Sequence, residues 1–298
     1  MMDNSDWTIG NLLAWTTGYL ERNGSESPRL DAEVLLAEAS GCRRIELYTA
    51  FQNTAAEPTR VAYRELVRQR AAGTPVAYLV GHREFYSHSF RVTPDVLIPR
   101  PETEFVLVAL LDLVKQHRQE NGPLEILDVG TGSGILAVCA ALHVPDSQIT
   151  AVDVSPTALN IARLNAEDHG VEERVDLIEG DLFSSLRTGH RFDYIISNPP
   201  YIRESEWDNL APDVREHEPR QALLAGKRGT ELIHRLIDEG VKHLKPQGWL
   251  ITEISPMIAD EVLALFEEHP AFGEPRTVKD LIHHPRVVLA ARQESSPG

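Results

Sequence analysis

The residues of this chain best suited to chemistry sit in two short stretches. Asn198-Pro199-Pro200-Tyr201 directly follows the apolar run Tyr194 to Ser197. Two consecutive prolines deny that turn backbone donors and stiffen it. What remains is carbonyl oxygen, with the Asn198 side-chain oxygen beside it. Two acceptors in a rigid corner match an –NH2 group, which has two N–H donors to give. Tyr201 is placed to lie flat against a planar target. The second stretch is Gly130-Thr131-Gly132-Ser133-Gly134, between an apolar strand-like run and an apolar helix-like run. Glycines there let the backbone turn tightly and approach a ligand, and a helix start behind them offers free N–H groups. The dinucleotide fingerprint Gly-x-Gly-x-x-Gly is out of register, because Ile135 holds the place of its third glycine. The loop therefore suits a smaller ligand without a pyrophosphate.

Other polar residues have two readings each. Asp153 ends the next strand-like run, where a carboxylate can accept from both hydroxyls of a ribose. It also reads as a helix N-cap, although Ser155 ahead of Pro156 can fill that role. Leu182 reads as the apolar face for an adenine or as ordinary core, and Asp181 beside it as an acceptor for the adenine amine. Arg100 either steadies a substrate peptide or forms a surface ion pair with Glu102. Glu253 either supports the donor site or is a solvated strand end. None of the twelve histidines is tied by spacing to the proline corner, and His283-His284 reads as a surface pair or turn.

These residues need a scaffold. Residues up to about 70 read as four helices: Thr8 caps Ile9 to Leu20, Pro28 opens a helix closed by Gly41, and Ile45–Phe51 and Val61–Ala71 follow, with apolar spacings of three and four. Gly73 to Pro99 reads as a linker with a β-hairpin around Phe85-Tyr86, Phe90 and Val92. Pro101 sits in a helix first turn, with Glu102 and Glu104 near the positive end of its dipole. From Leu124 onward strands and helices alternate, which means a mostly parallel sheet with helices on both faces. Ligands bind such sheets beyond the C-terminal strand ends, where both chemical stretches fall.

Composition narrows the function. The chain has 298 residues, 42% hydrophobic and 25% charged, as expected of about two globular domains. No run of about 18 apolar residues marks a membrane span. Met1 to Gly10 carries Asp3 and Asp6 and no basic residue, unlike a signal or transit peptide. There are 29 basic and 45 acidic side chains, a net of −16. Of these, 9 and 11 precede His88, so the remainder holds 20 against 34, a net of −14. Proteins that hold nucleic acid usually carry a basic footprint, so that partner is disfavoured. Two cysteines far apart, Cys42 and Cys139, exclude disulfide frameworks and cysteine metal clusters and suggest a cytoplasmic setting.

Together the glycine loop, Asp153 and Asn198-Pro199-Pro200-Tyr201 resemble the S-adenosylmethionine-dependent amino-methyltransferases. Leu97-Ile98-Pro99-Arg100-Pro101-Glu102-Thr103-Glu104, Gly73-Thr74-Pro75-Val76-Ala77-Tyr78-Leu79 with Phe85, and His217-Glu218-Pro219 with Ala222-Leu223 and Gly229 narrow the likeness. They resemble the PrmC/HemK family, protein-(glutamine-N5) methyltransferases that modify peptide chain release factors. The resemblance implies a Rossmann-like α/β methyltransferase sheet over residues 100–298, a helical substrate-recognition domain over 1–72 and a linker over 73–99. It implies S-adenosylmethionine bound by Gly130, Thr131, Gly132, Ser133, Gly134, Asp153, Leu182 and Asn198. It implies a glutamine in a release factor's Gly-Gly-Gln loop received by Asn198, Pro199, Pro200 and Tyr201, with Asn198 and Pro199 catalytic and no metal. One stretch departs from the family: Glu253-Ile254 is followed by Ser255-Pro256-Met257-Ile258, without the usual glycine and glutamine. The nearest alternative is a nucleic-acid amino-methyltransferase acting on adenine N6 or guanine N2. A nicotinamide oxidoreductase and a non-catalytic adaptor fit the glycine register and the intact corner less well.

Overall fold

The computed structural model describes residues 7–117 and 122–294. They form two compact units, Met1–His82 with Ala211–His217, and Arg83–Leu210 with Glu218–Gly298.

The first unit is helical. α1 (Ile9–Arg22) starts where the Thr8 hydroxyl accepts from the Asn11 N–H at 3.2 Å. α2 (Pro28–Ser40) opens on its proline and ends on Gly41, whose left-handed φ of 61° favours a residue without a Cβ. α3 (Arg44–Thr49), α4 (Glu57–Ala71) and the short α5 (Val76–Val80) follow. Leu13, Leu20, Leu35, Leu36, Leu47 and Tyr63 bury themselves among the helices. A nearly buried ion pair, Arg70 Nε to Asp31 at 2.7 Å, ties α4 to α2. The apolar spacing identified these helices; α5, inside the stretch expected as linker, was too short for a periodic signal.

In the second unit, β1 (His82–Phe85) and β2 (His88–Arg91) make the expected hairpin. Its turn forces Tyr86 and Ser87 into positive φ, 48° and 64°, the geometry of a tight two-residue hairpin loop. A single 3₁₀ turn, Pro101–Thr103, leads into α6 (Glu104–His117). Then come β3 (Leu124–Val129), α7 (Ile135–His143), β4 (Ser147–Asp153), α8 (Pro156–Asp168), β5 (Val175–Glu179) and β6 (Phe192–Ser197). In the chain β6 is followed by two short paired strands, β7 (Ile202–Arg203) and β8 (Leu224–Gly226); α9 (Pro212–His217), which falls between them in sequence, belongs to the first unit. α10 (Glu231–Gly240), β9 (Leu244–Glu253), α11 (Ala259–Glu268), β10 (Arg276–Lys279) and β11 (Pro285–Ala291) complete the unit.

The main sheet has seven strands in the order β10-β11-β9-β6-β3-β4-β5. β9, β6, β3, β4 and β5 run parallel; β11 is antiparallel to β9, and β10, antiparallel to β11, returns to the common direction. Alternate residues face opposite sides, as pleating requires. Ile126, Ile196, Ile251 and Leu289 join one apolar cluster with α6 and α7. Leu127, Ile195, Leu250 and Val288 join the other with α10 and α11. The chain leaves β3 toward β4 and β5, then returns to place β6 on the other side. That reversal opens a crevice beyond the ends of β3 and β6, where the glycine loop and the proline corner emerge.

Candidate active site

A cleft of about 1040 Å³, including its open mouth, lies at this switch point. Its walls include Gly130, Thr131, Gly132, Ser133, Asp153, Leu182, Asn198 and Pro200. Three further segments contribute: Asp95 to Thr103, Pro219 to Ala222, and Leu232. Gly134, Pro199 and Tyr201 are not among the lining residues but adjoin Ser133, Ile135, Asn198 and Pro200, which are.

The loop after β3 is held from below. Its glycines all take positive φ, 74° at Gly130, 56° at Gly132 and 82° at Gly134. A Cβ on Gly130 or Gly132 would meet nothing within 4 Å, so these two leave room on the cleft side. A Cβ on Gly134 would come 3.0 Å from the Ala162 Cβ, so the third glycine lets α7 and α8 pack closely. Asp128, which sequence reasoning passed over as a strand residue, is the loop's anchor. Its Oδ2 accepts from the Thr131 hydroxyl at 2.6 Å and the Ala137 N–H at 3.1 Å, while Oδ1 has no partner. Asp153 accepts from the Gly132 N–H on one oxygen and the Ser155 N–H on the other, at 2.8 and 2.9 Å. The Ser155 hydroxyl caps α8, so the cap reading of Asp153 falls away and its free lone pairs face the cleft.

Leu182 sits half in the second apolar cluster and half on the cleft wall, with φ at 51°. Both readings of it hold in part. Asp181 is engaged: Arg235 grips it with two nitrogens at 3.2 and 3.1 Å.

At the corner, Asn198 Nδ2 donates to the Thr103 hydroxyl at 3.0 Å. Oδ1, the acceptor, is the other end of a side chain that lines the cleft. Pro199 is buried and Pro200 half-buried. The Tyr201 ring packs on the second cluster, and its hydroxyl donates to Glu253 Oε1 at 3.3 Å. Glu253 is 1% exposed, so it is no solvated strand end. Arg100 does not pair with Glu102: it donates to Glu218 at 2.5 Å, and Glu218 also accepts from the Ile98 N–H at 3.2 Å. Glu102 instead faces Arg286 at 3.7 Å. The buried Glu218 thus clips the chain after the corner to the proline-rich segment before α6, and both line the cleft. His283, at φ 64°, lies in a turn where Asp280 accepts from the Ile282 and His284 N–H groups. The departing stretch forms a 3₁₀ turn, Pro256–Ile258, started by the Ser255 hydroxyl.

With this geometry in hand, the likeness to known proteins is specific. A PrmC N-terminal domain model matches residues 11–81, and a methyltransferase small domain model matches residues 108–214. The release factor glutamine methyltransferase of Rhodopirellula baltica is 50% identical over 286 residues, 96% of this chain and 97% of that one. The chain belongs to the release factor glutamine methyltransferase family. The Koribacter versatilis member is 40% identical over 93% of this chain and 96% of its own. A methyltransferase from Pyrococcus furiosus, at 18% identity, superposes with a TM-score of 0.51 over 70% of this chain and 91% of that one, a likeness of fold. Among the described residues no helix is long and apolar enough to cross a membrane.

This member of the release factor glutamine methyltransferase family carries two buried carboxyls under its cleft. Burial lifts both Asp128 and Glu253 to about 7, against the pull of the hydroxyls beside them. Burial also raises Asp153. Unfolded, Asp and Glu titrate near 4, so between about pH 4 and 7 the native state holds protons the unfolded chain has lost. Their contribution to stability is complete below that window and disappears as pH rises through about 7, about 3–4 kcal/mol per group. The melting temperature of Glu253→Gln, which stays neutral, is expected to fall less than that of the parent between about pH 5 and 8. Parallel melting curves across that range would contradict the burial assigned to Glu253.

Proposed function

We propose that the protein transfers a methyl group from S-adenosylmethionine to the side-chain amide nitrogen of a glutamine in the Gly-Gly-Gln loop of peptide chain release factors. One observation carries this reading: a proline corner whose Asn198 amide is already committed on its donor side, leaving an acceptor at a cleft beside a nucleoside-type glycine loop.

The residues suit the donor. Gly130 and Gly132 leave a cradle that a Cβ would enter, Asp153 keeps acceptor capacity for ribose hydroxyls, and Leu182 offers an apolar face. Gly134 secures the loop through packing. S-adenosylmethionine, when bound, supplies a methyl group on a positively charged sulfur, already activated for displacement.

The chain's own work is to prepare the amide. An amide nitrogen is a weak nucleophile, because its lone pair is shared with the carbonyl. The Asn198 Oδ1 and the Pro199 carbonyl accept its two N–H groups, raise electron density on nitrogen and aim it. Fixed dipoles and orientation then supply most of the acceleration. No side-chain base is required, since the proton lost from nitrogen can pass to water. Tyr201 and Pro200 keep the corner rigid and shape the approach.

The helical residues 1–72 serve to dock the protein substrate, residues 73–99 join them to the catalytic part, and 100–298 carry the chemistry, in the cytoplasm. A net of −14 beyond Ser87 sets the protein against a nucleic-acid substrate, whose phosphates need neutralising. The test is a methylation assay with labelled donor, offering a release factor and an RNA in parallel. Label is expected in the release factor, and none in a release factor whose loop glutamine is replaced by alanine. Label in the RNA would favour the amino-methyltransferase of nucleic acid instead.

A further inference from the structure

Asn198 can present its acceptor to the cleft only if something holds its amide in one of two nearly isosteric orientations. Rotated by half a turn, the side chain would offer N–H groups to a substrate that also offers N–H groups. The structure shows what decides. Thr103, fully buried in the 3₁₀ turn before α6, accepts from Asn198 Nδ2 at 3.0 Å. A hydroxyl has one hydrogen and must place it elsewhere; the Glu253 carboxyl, whose buried Oε2 has no hydrogen-bond partner of its own, is the neighbouring acceptor it can turn to. Glu253 Oε1 in turn accepts from the Tyr201 hydroxyl at 3.3 Å. The first and last residues of the corner are thereby tied through one buried network to α6 and β9.

We propose that Thr103 and Glu253 are positioning residues for methyl transfer: together they fix which end of the Asn198 amide faces the substrate carboxamide. Neither needs to touch the reacting atoms. Thr103 polarises the choice by offering Asn198 an acceptor and no second donor, and Glu253 keeps the threonine hydrogen from competing. The inference rests on the corner receiving the amide as proposed above, and it adds the residues that make the corner directional.

The isosteric Thr103→Val removes the hydroxyl without opening a cavity. With its buried donor unpartnered, Asn198 turns its NH2 toward the wet cleft. Turnover on a release factor is expected to fall about 10- to 100-fold, the usual cost of a misdirected contact, while the dissociation constant for S-adenosylhomocysteine changes by less than about threefold. Thr103→Ser, which restores the hydroxyl, is expected to recover most of the rate. Glu253→Leu attacks the same network from its other end and is expected to lower turnover with the same unchanged affinity. Because the two act along one path, the double variant is expected to be no slower than the slower single variant. Thr103→Val within twofold of the parent, Thr103→Ser as slow as Thr103→Val, or fully multiplicative losses in the double variant would overturn the inference. Parent protein that leaves the release factor unmethylated would overturn the function itself, which keeps the two failures apart.

Discussion

Asn198→Ala is expected to lower turnover on a release factor by at least about 1000-fold, while affinity for S-adenosylhomocysteine falls by less than about tenfold. The argument is one of differential contact. The Asn198 Nδ2 is spent on Thr103, so its oxygen is the free half of the side chain, and a carboxamide nitrogen gains most from that acceptor as positive charge builds on it. Losing one preorganised electrostatic partner costs about 100- to 1000-fold in comparable cases. Here a second loss is added, because the substrate amide is no longer aimed. Donor binding is expected to depend instead on the loop after β3, on Asp153 and on Leu182, which line the cleft and which the substitution leaves in place. Single-turnover kinetics with an independent titration of S-adenosylhomocysteine separates the two quantities. A loss that appears equally in affinity and rate would move Asn198 from the chemistry to the donor pocket.

The largest structural effect is expected at Gly134. Valine there meets two penalties. A β-branched residue at φ near 82° is strained by about 1–3 kcal/mol. Its side chain also starts 3.0 Å from the Ala162 Cβ and 3.1 Å from the Ala162 Cα, which forces α7 off α8 at about another 1–3 kcal/mol. Thermal unfolding should move down by roughly 5–15 °C, and S-adenosylhomocysteine binding should be lost with the loop. Gly132→Ala is the control: it shares the backbone strain but meets nothing within 4 Å, so its melting temperature is expected to fall less than half as far. Equal shifts for the two would mean that helix packing does not explain the third glycine.

The two chemical stretches were legible in the sequence because each couples unusual residues to a strand end. Glycines at 130, 132 and 134 free the backbone and prolines at 199 and 200 fix it wherever they occur, so their meaning survives without a structure. The alternation from Leu124 onward gave the parallel sheet, since each strand is a continuous apolar run between turn residues. What stayed hidden has a common cause. Asp128, Thr103, Glu218 and Glu253 act by being buried opposite partners from distant segments, and a lone polar residue in a sequence carries no trace of its partner. For the same reason the sequence offers Arg100 only its neighbour Glu102 as an ion-pair partner, beside the substrate-peptide reading, whereas the fold brings Glu218 to it across 118 positions. β7, β8 and β10 are two to four residues long, too short for a period to register. Of the two readings of Glu253, the solvated strand end falls: β11, pairing antiparallel beside it, and Tyr201 cover it.

The most direct test of the carboxamide corner is site-resolved mass spectrometry of a release factor after reaction with labelled S-adenosylmethionine. A single methyl group on the side-chain amide nitrogen of the loop glutamine is the result the geometry predicts. A methyl group on a carboxylate, lysine or arginine of the same protein, with that glutamine unmodified, would contradict it.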